Sequence, residues 1–403
     1  MDTVIINSEE RLSEVAGLLR GGGMAAVPTE TVYGLCVNGL DSAAVAALYE
    51  IKGRPEVKPL SLMVPSADEM EKYAHDVPPA ARTLAEKFWP GPLTIVLPAR
   101  ELIPEIVRAG GGTIGLRCPD HPLTLSLLRL AGIPLAGPSA NPSGAPSPKS
   151  ADEVLSYFDG RIPAVVDGGR CGFGRESTII DLSRTPYRIL RQGALSEDAI
   201  DEALVGGMTV IGLTGGTGSG KTTVLQYLTD RGALGLDCDA IYHELLETSG
   251  PMLAELRERF PGAFGSGSLD RKALGRIVFA DEAELADLND ITHRYVTAEI
   301  KRRLREHARS GGRAAVIDAI ALVESGLSKL CTRTAAVTAS PEIRVRRIMA
   351  RESISEEYAR SRIAAQKDEA FFRDNCNVVL QNDGTVEELE NQCRKVFGDT
   401  IEP

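Results

Sequence analysis

Directly after the apolar run Val210-Ile211-Gly212-Leu213, the chain reads Gly215-Gly216-Thr217-Gly218-Ser219-Gly220-Lys221-Thr222. Few folds accept that order of residue types. An apolar run entering a glycine-rich turn is a buried strand leading into a phosphate-binding loop, with a helix beginning near Lys221. Gly215, Gly216, Gly218 and Gly220 permit backbone conformations and close approaches that let consecutive N–H groups, that of Ser219 among them, surround polyphosphate oxygens. The helix that follows adds its positive end. Lys221 is placed to reach the β- and γ-phosphates, Thr222 to offer its hydroxyl to Mg2+, and Thr223 to continue the cradle, which makes ATP the expected ligand.

A chain of 403 residues exceeds one ordinary core and fits two domains of about 200 residues each. The phosphate loop starts at the midpoint, so domains over 1–205 and 206–403 are expected, with the junction at Gly206-Gly207. The net charge of −11 is spread over both halves: residues 1–207 hold 19 Lys and Arg against 26 Asp and Glu, and the remainder 26 against 30. Neither half is basic, which argues against a protein that grips long nucleic acid by its backbone. No apolar run approaches the roughly 18 residues of a membrane span. The N-terminus lacks the cationic start and apolar stretch of an export signal, so the expectation is a cytoplasmic protein with no membrane partner. Seven scattered cysteines without a Cys-x-x-Cys pair read as reduced thiols.

The first half alternates short apolar runs with helical patterns, the signature of a mixed α/β domain with a large sheet. Strands are expected at 24–27, 60–64, 94–97, 113–117, 133–136, 164–167, 178–182 and 187–191. Helices are expected at 80–88, 123–130 and 151–158, and a short one near 196–204. The second half has the βα alternation of a doubly wound parallel sheet: strands at 209–213, 233–236, 314–318, 335–338 and 377–380, with helices at 222–229 and 342–351. Ligands of such sheets sit at the carboxyl ends of the strands. The phosphate loop, Asp237, Asp239 and Asp318 all fall there.

Those acids have chemical uses. Asp237 and Asp239 close a strand where a phosphoryl acceptor would lie, and one of them can serve as a base. Val316-Ile317-Asp318 is an apolar strand ending in a carboxylate suited to Mg2+, although a strand-end Asp equally often caps the next helix. Arg344, Arg346, Arg347, Arg351, Arg360 and Arg362 cover two expected helices, as in the arginine-bearing lid of small-molecule kinases. About half of such arginines belong to solvated surface. Arg347 and Arg351, four apart, share a face.

Together the loop from Leu213 to Thr223, the Asp237-Cys238-Asp239 strand end, Leu288-Asn289-Asp290-Ile291-Thr292-His293, the segment from Asp318 through Leu322 to Glu324, and Ala364-Ala365-Gln366 resemble dephospho-CoA kinase over about residues 208–398. The resemblance implies ATP-dependent phosphorylation of the ribose 3'-hydroxyl of dephospho-CoA. Asp239 would be the base, Lys221 and Thr222 would hold ATP and Mg2+, Asp318 would join the metal, and Arg347 and Arg351 would lie in the lid. Two positions depart from that family, which often has Pro where Arg294 and Ile320 stand.

In the first half, Pro28-Thr29-Glu30-Thr31-Val32-Tyr33-Gly34-Leu35 gathers three hydroxyl groups from Thr29, Thr31 and Tyr33 with a carboxylate behind a strand. Lys52-Gly53-Arg54 puts two cations beside a Gly, where both heads can converge on phosphate or carboxylate. Gly137-Pro138-Ser139-Ala140-Asn141 offers hydroxyl, amide and backbone donors in a loop held between core elements. His75 and His121 are available as bases and read as solvated loop residues.

These segments, with Lys58-Pro59-Leu60, Trp89 to Thr94, Gly115 to Pro119 and Gly174 to Thr178, resemble the short form of the YrdC-type threonylcarbamoyl-AMP synthases over about residues 5–200. The family's Lys-x-Arg and Ser-x-Asn quartet falls on Lys52, Arg54, Ser139 and Asn141. Thr31, Tyr33, Lys58, Arg117, Ser177 and Arg191 are further expected ligand contacts. The resemblance implies condensation of L-threonine, bicarbonate and ATP to threonylcarbamoyl-AMP and pyrophosphate, with tRNA-modification proteins downstream. Lys52, Arg54 and Arg117 would stabilise charge on the α-phosphate, with Mg2+. Two alternatives remain at this level: an N-terminal RNA-binding module without catalysis, and a P-loop kinase with another acceptor, a nucleoside monophosphate or a shikimate-like alcohol.

Overall fold

The computed structural model describes residues 2–55, 58–265 and 268–401, the side chains of 399–401 excepted. The chain divides into two compact units: Met1–Gly207 with Arg309–Gly311, and Met208–Ala308 with Gly312–Pro403. No described helix is long and apolar enough to cross a membrane.

The N-terminal unit is built on a ten-stranded mixed sheet. In chain order its strands are β1 (Val4–Ile6), β2 (Ala25–Val27), β3 (Gly34–Asn38), β4 (Ser61–Met63), β5 (Leu93–Pro98), β6 (Thr113–Arg117), β7 (Leu135–Ala136), β8 (Ala164–Val166), β9 (Thr178–Asp181) and β10 (Arg188–Arg191). Their spatial order is β1-β8-β2-β3-β7-β4-β6-β5-β9-β10. The antiparallel pair β2–β3 sets Ala25 opposite Cys36, and the parallel pair β4–β6 sets Met63 opposite Arg117. One face is sealed by the helices Leu12–Arg20 and Pro122–Ala131, whose Leu12, Val15, Leu19, Leu127 and Leu128 form a core with Ala25, Val27 and Val166.

Two of these strands were not expected. β3 lies inside a segment rich in polar ligand-binding types and opens on glycine, so its alternation is masked, yet Leu35, Cys36 and Val37 are fully buried. β1 has three residues, of which Val4 and Ile5 are exposed, too few to mark a strand by pattern.

The C-terminal unit carries five parallel strands, β11 (Thr209–Thr214), β12 (Leu234–Asp237), β13 (Ala314–Asp318), β14 (Arg333–Thr338) and β15 (Val378–Gln381), ordered β12-β13-β11-β14-β15. β11 is central, and both its faces are covered, which explains its unbroken apolar run. The helix Lys221–Thr229 follows the phosphate loop, and Val224 and Leu228 pack with Ile211, Leu213, Val316 and Val337. A separate helical cluster gathers Met252, Leu256, Phe260, Leu274 and Ile291. The helices Pro341–Glu352 and Glu356–Ala364 form a hairpin with its own apolar seam.

Candidate active sites

In the N-terminal unit, loops at the ends of β2, β6, β7 and β10 and ahead of β9 enclose a cavity of about 180 Å³. Its charged lining is three guanidiniums, Arg54, Arg117 and Arg191, and one carboxylate, Glu176. Each arginine is fixed by neighbours. Arg117 donates to Thr31 Oγ1 (2.8 Å) and is ion-paired to the mostly buried Glu30 (2.8 Å). Arg191 donates to the Ser177 carbonyl (2.8 Å) and Oγ (3.1 Å), and Ser177 Oγ also meets Thr94 Oγ1 at 2.8 Å. Arg54 donates to the Pro59 carbonyl (3.1 Å) and holds a buried Nε without a partner among the described residues. Burial lowers the pKa of Arg191; Glu176 opposes that shift, and the charges of Arg117 and Arg54 add to it. Crowded, part-desolvated guanidiniums of this kind form a focus of positive potential that an anion relieves. Thr29, Thr31, Ser61, Ser139 and Ser177 add hydroxyl groups to the wall.

Four of the expected contacts stand outside that lining. The Lys52 side chain is 3% exposed and its ammonium donates to the backbone carbonyls of Ser139 and Asn141. Burial, with the nearby Arg54 charge, brings its pKa down to about 7. Lys52 thus ties the end of the helix Ser42–Lys52 to the 137–145 loop, a tie doubled by Ser143 N–H on the Lys52 carbonyl (2.8 Å). Asn141 braces the same loop through Nδ2 on the Ala145 carbonyl (2.5 Å), while its Oδ1 is buried without a partner among the described residues. Tyr33 is fully buried, and its hydroxyl donates to the Gly169 carbonyl (2.7 Å) and accepts from Gly168 N–H. Lys58 is exposed. His121, expected in solvent, is half-buried at the start of the helix Pro122–Ala131, so close to Gly168 that a Cβ there would fall 2.6 Å from its ring; burial lowers its pKa. His75 is exposed, against Asp76.

In the C-terminal unit a cavity of about 500 Å³ opens over the carboxyl ends of β11, β12 and β13. Gly216, Gly218, Gly220, Lys221, Thr222 and Thr223 line it from the phosphate loop. Gly220 has φ +104°, and a Cβ there would collide with the Asn382 amide, so any larger residue is strained and must displace Asn382. Ser219 is buried behind the wall; its carbonyl accepts from Asn382 Nδ2 (2.7 Å) and its hydroxyl has no partner among the described residues. Across from the loop, Asp237 and Asp239 face the cavity. Asp237 caps the helix Cys238–Thr248, accepting from Asp239 N–H (2.9 Å) and Ala240 N–H (3.0 Å). Asp239 is exposed.

Lys221 Nζ lies 3.9 Å from Asp318 Oδ1. Burial pushes the Asp318 pKa up to about 6; Lys221 opposes that shift, and Asp237 and Asp239 reinforce it. Asp318 Oδ1 is buried without a hydrogen bond among the described residues. Arg347, Arg351 and Arg362 enter from the helical hairpin. Arg347 approaches the Gly218 and Ser219 carbonyls (both 3.4 Å), and Arg351 and Arg362 share Glu352. Ile320 lines the cavity, whereas Arg294 is ion-paired with Glu255.

The Sua5_yciO_yrdC family model, described as telomere recombination, matches residues 17–193, and the CoaE model, dephospho-CoA kinase, matches residues 209–388. A putative threonylcarbamoyl-AMP synthase of Mycobacterium tuberculosis is 37% identical over 188 residues, spanning 47% of this chain and 86% of that protein. A dephospho-CoA kinase of Corynebacterium glutamicum is 36% identical over 200 residues, spanning 48% of this chain and 98% of that protein. The chain belongs to both families, one in each half. A threonylcarbamoyl-AMP synthase of Pyrococcus abyssi is 44% identical over 207 residues, spanning 50% of this chain and only 61% of that relative's length.

Within the YrdC-type half, Glu30, Thr94 and Glu176 are site residues that sequence reasoning did not select. Glu30 and Glu176 sit in quoted motifs, but a carboxylate beside hydroxyl residues reads as loop surface until the facing arginines are known. Within the dephospho-CoA kinase half, Asn382 escaped because it follows the last strand, far from any glycine signature. Arg344 and Gln366 were visible, but neither was chosen.

Proposed function

We propose that the N-terminal unit condenses L-threonine, bicarbonate and ATP to threonylcarbamoyl-AMP, and that the C-terminal unit phosphorylates the ribose 3'-hydroxyl of dephospho-CoA. The observation that carries the first reading is the convergence of Arg54, Arg117 and Arg191 on one small hydroxyl-lined cavity. Condensation at the α-phosphate expels pyrophosphate, and fixed guanidiniums stabilise the charge that builds there. Thr31 and Ser139 suit the hydroxyl and carboxylate of threonine. Lys52 acts one step back, holding the Ser139–Asn141 backbone against the cavity, while Tyr33 holds the facing 167–169 loop. The product is a mixed anhydride that must pass to a tRNA-modifying acceptor, consistent with a cytoplasmic protein.

For the C-terminal unit the carrying observation is Lys221, Asp239 and Asp318 around one cavity. Asp239 accepts the proton of the attacking hydroxyl, Lys221 holds the β- and γ-phosphates, and Arg347 and Arg351 meet the transferring group. Among the described residues no cluster of three His, Cys, Asp or Glu side chains forms a metal cage. The Thr222 hydroxyl and Asp318 Oδ1, which has no hydrogen bond among the described residues, nevertheless fit Mg2+, which takes few protein ligands and completes its shell with phosphate and water. When bound, that ion neutralises phosphate charge.

The test is pyrophosphate release dependent on both threonine and bicarbonate, alongside ATP consumption with dephospho-CoA against a panel of nucleoside monophosphates and shikimate. Release that ignores threonine rejects the first reading, and turnover of another acceptor in preference to dephospho-CoA rejects the second.

A further inference from the structure

No polar group of Thr217, in the middle of the phosphate loop, is bonded within the loop. Its N–H donates to Gln366 Oε1 (3.0 Å), its hydroxyl accepts from Gln366 Nε2 (2.8 Å), and its carbonyl accepts from Arg344 Nε (3.0 Å). Arg344 Nη2 closes the ring on Gln366 Oε1 at 2.5 Å. Both side chains belong to the helical hairpin: Arg344 lies in its first helix, and Gln366 comes two residues after its second.

The hairpin is packed as one piece through Val345, Ile348 and Ala359. Arg347, Arg351 and Arg362, which face the nucleotide cavity, are carried by that piece. The contact is also shaped from the loop side, because a Cβ on Gly216 would collide with the Arg344 guanidinium and come 2.8 Å from Gln366 Oε1. Arg344 is half-buried, and among the described residues its bonds go to Thr217 and Gln366 and to no carboxylate.

We propose that Arg344 and Gln366 are positioning residues that hold the phosphate loop in its nucleotide-binding shape and, through Thr217, fix the distance between that loop and the cavity-facing arginines of the hairpin. The inference rests on the reading of this unit as an ATP-using kinase, but not on which acceptor it phosphorylates.

The test uses the full chain carrying Gln366→Ala, Arg344→Ala or Gln366→Glu. Hydrogen exchange of the loop is followed without nucleotide, and ATP affinity is taken as the binding that Lys221→Ala abolishes. In Gln366→Ala the loop amides exchange faster and ATP binds about tenfold more weakly, the size expected for two lost hydrogen bonds, while the KM for dephospho-CoA is unchanged. Gln366→Glu still accepts from Thr217 N–H and pairs with Arg344, so loop protection returns. Exchange and ATP affinity within about twofold of the parent in both alanine variants overturn the proposal. Should dephospho-CoA fail as substrate while these differences persist, the acceptor reading falls and this one stands.

Discussion

Asp237 and Asp239 are the same residue type two positions apart, yet the backbone gives them different roles. Asp237 is committed to two N–H groups at a helix start, whereas Asp239, in the first turn, faces the cavity with no side-chain hydrogen bond among the described residues. Asp239→Asn is therefore expected to lower phosphoryl transfer by about 10²–10³-fold with little change in melting temperature. Asp237→Ala is expected to cost about 1 kcal/mol of stability, as loss of a helix cap does, and to spare most activity. Steady-state rates and thermal unfolding on the same samples separate the two. Asp318 carries a pH dependence. Its folded pKa of about 6 stands above the ordinary carboxylate value, so the stability this group contributes in the unliganded unit is lost as pH rises from about 4 through 6, when the buried group must ionise beside Asp237 and Asp239. Asp318→Asn should flatten that part of the unfolding-versus-pH curve and be the more stable protein at pH 7. A difference between parent and Asp318→Asn that does not fall with pH over the same window would contradict the assignment.

At the scale of elements, one lysine side chain ties the 137–145 loop to the helix Ser42–Lys52. Lys52 is buried with two carbonyls on its ammonium, and Lys52→Met keeps the stem but leaves those oxygens without a donor at about 1–3 kcal/mol each. The expected result is faster hydrogen exchange across 137–145 and lower pyrophosphate release, with phosphorylation by the other half unaffected. This element also marks where sequence reading stops. Lys52, Arg54, Ser139 and Asn141 were legible as a group because types and order survive in one dimension, but which heads meet the ligand and which meet the backbone depends on side-chain direction. The parallel sheet was legible for the opposite reason: β11, β13 and the phosphate loop are local patterns, and β13 begins and ends where its apolar run does. β3 was not, since it runs inside the sheet between β2 and β7 with helices packed on it, so successive residues are buried and no alternation shows. Gln366 likewise was only part of a quoted motif until Thr217, 149 positions away, was seen to bond it.

For the molecule as a whole, the telling fact is that each cavity is lined by residues of one unit alone: the first draws on positions 29–191, the second on positions 216–389. The two linings also offer an anion different physics. One uses three side-chain guanidiniums around hydroxyl groups, the other a glycine backbone, a helix end and one lysine. A change that abolishes one should leave the other's chemistry intact, because the two linings share no side chain. Lys221→Ala in the full chain is thus expected to eliminate phosphorylation and keep threonine-dependent pyrophosphate release within about twofold, and Arg117→Ala to do the reverse. Both reactions consume ATP, so each is measured with the other's acceptor omitted. Loss of pyrophosphate release in Lys221→Ala, at unchanged unfolding temperature, would mean that the two sites act as one.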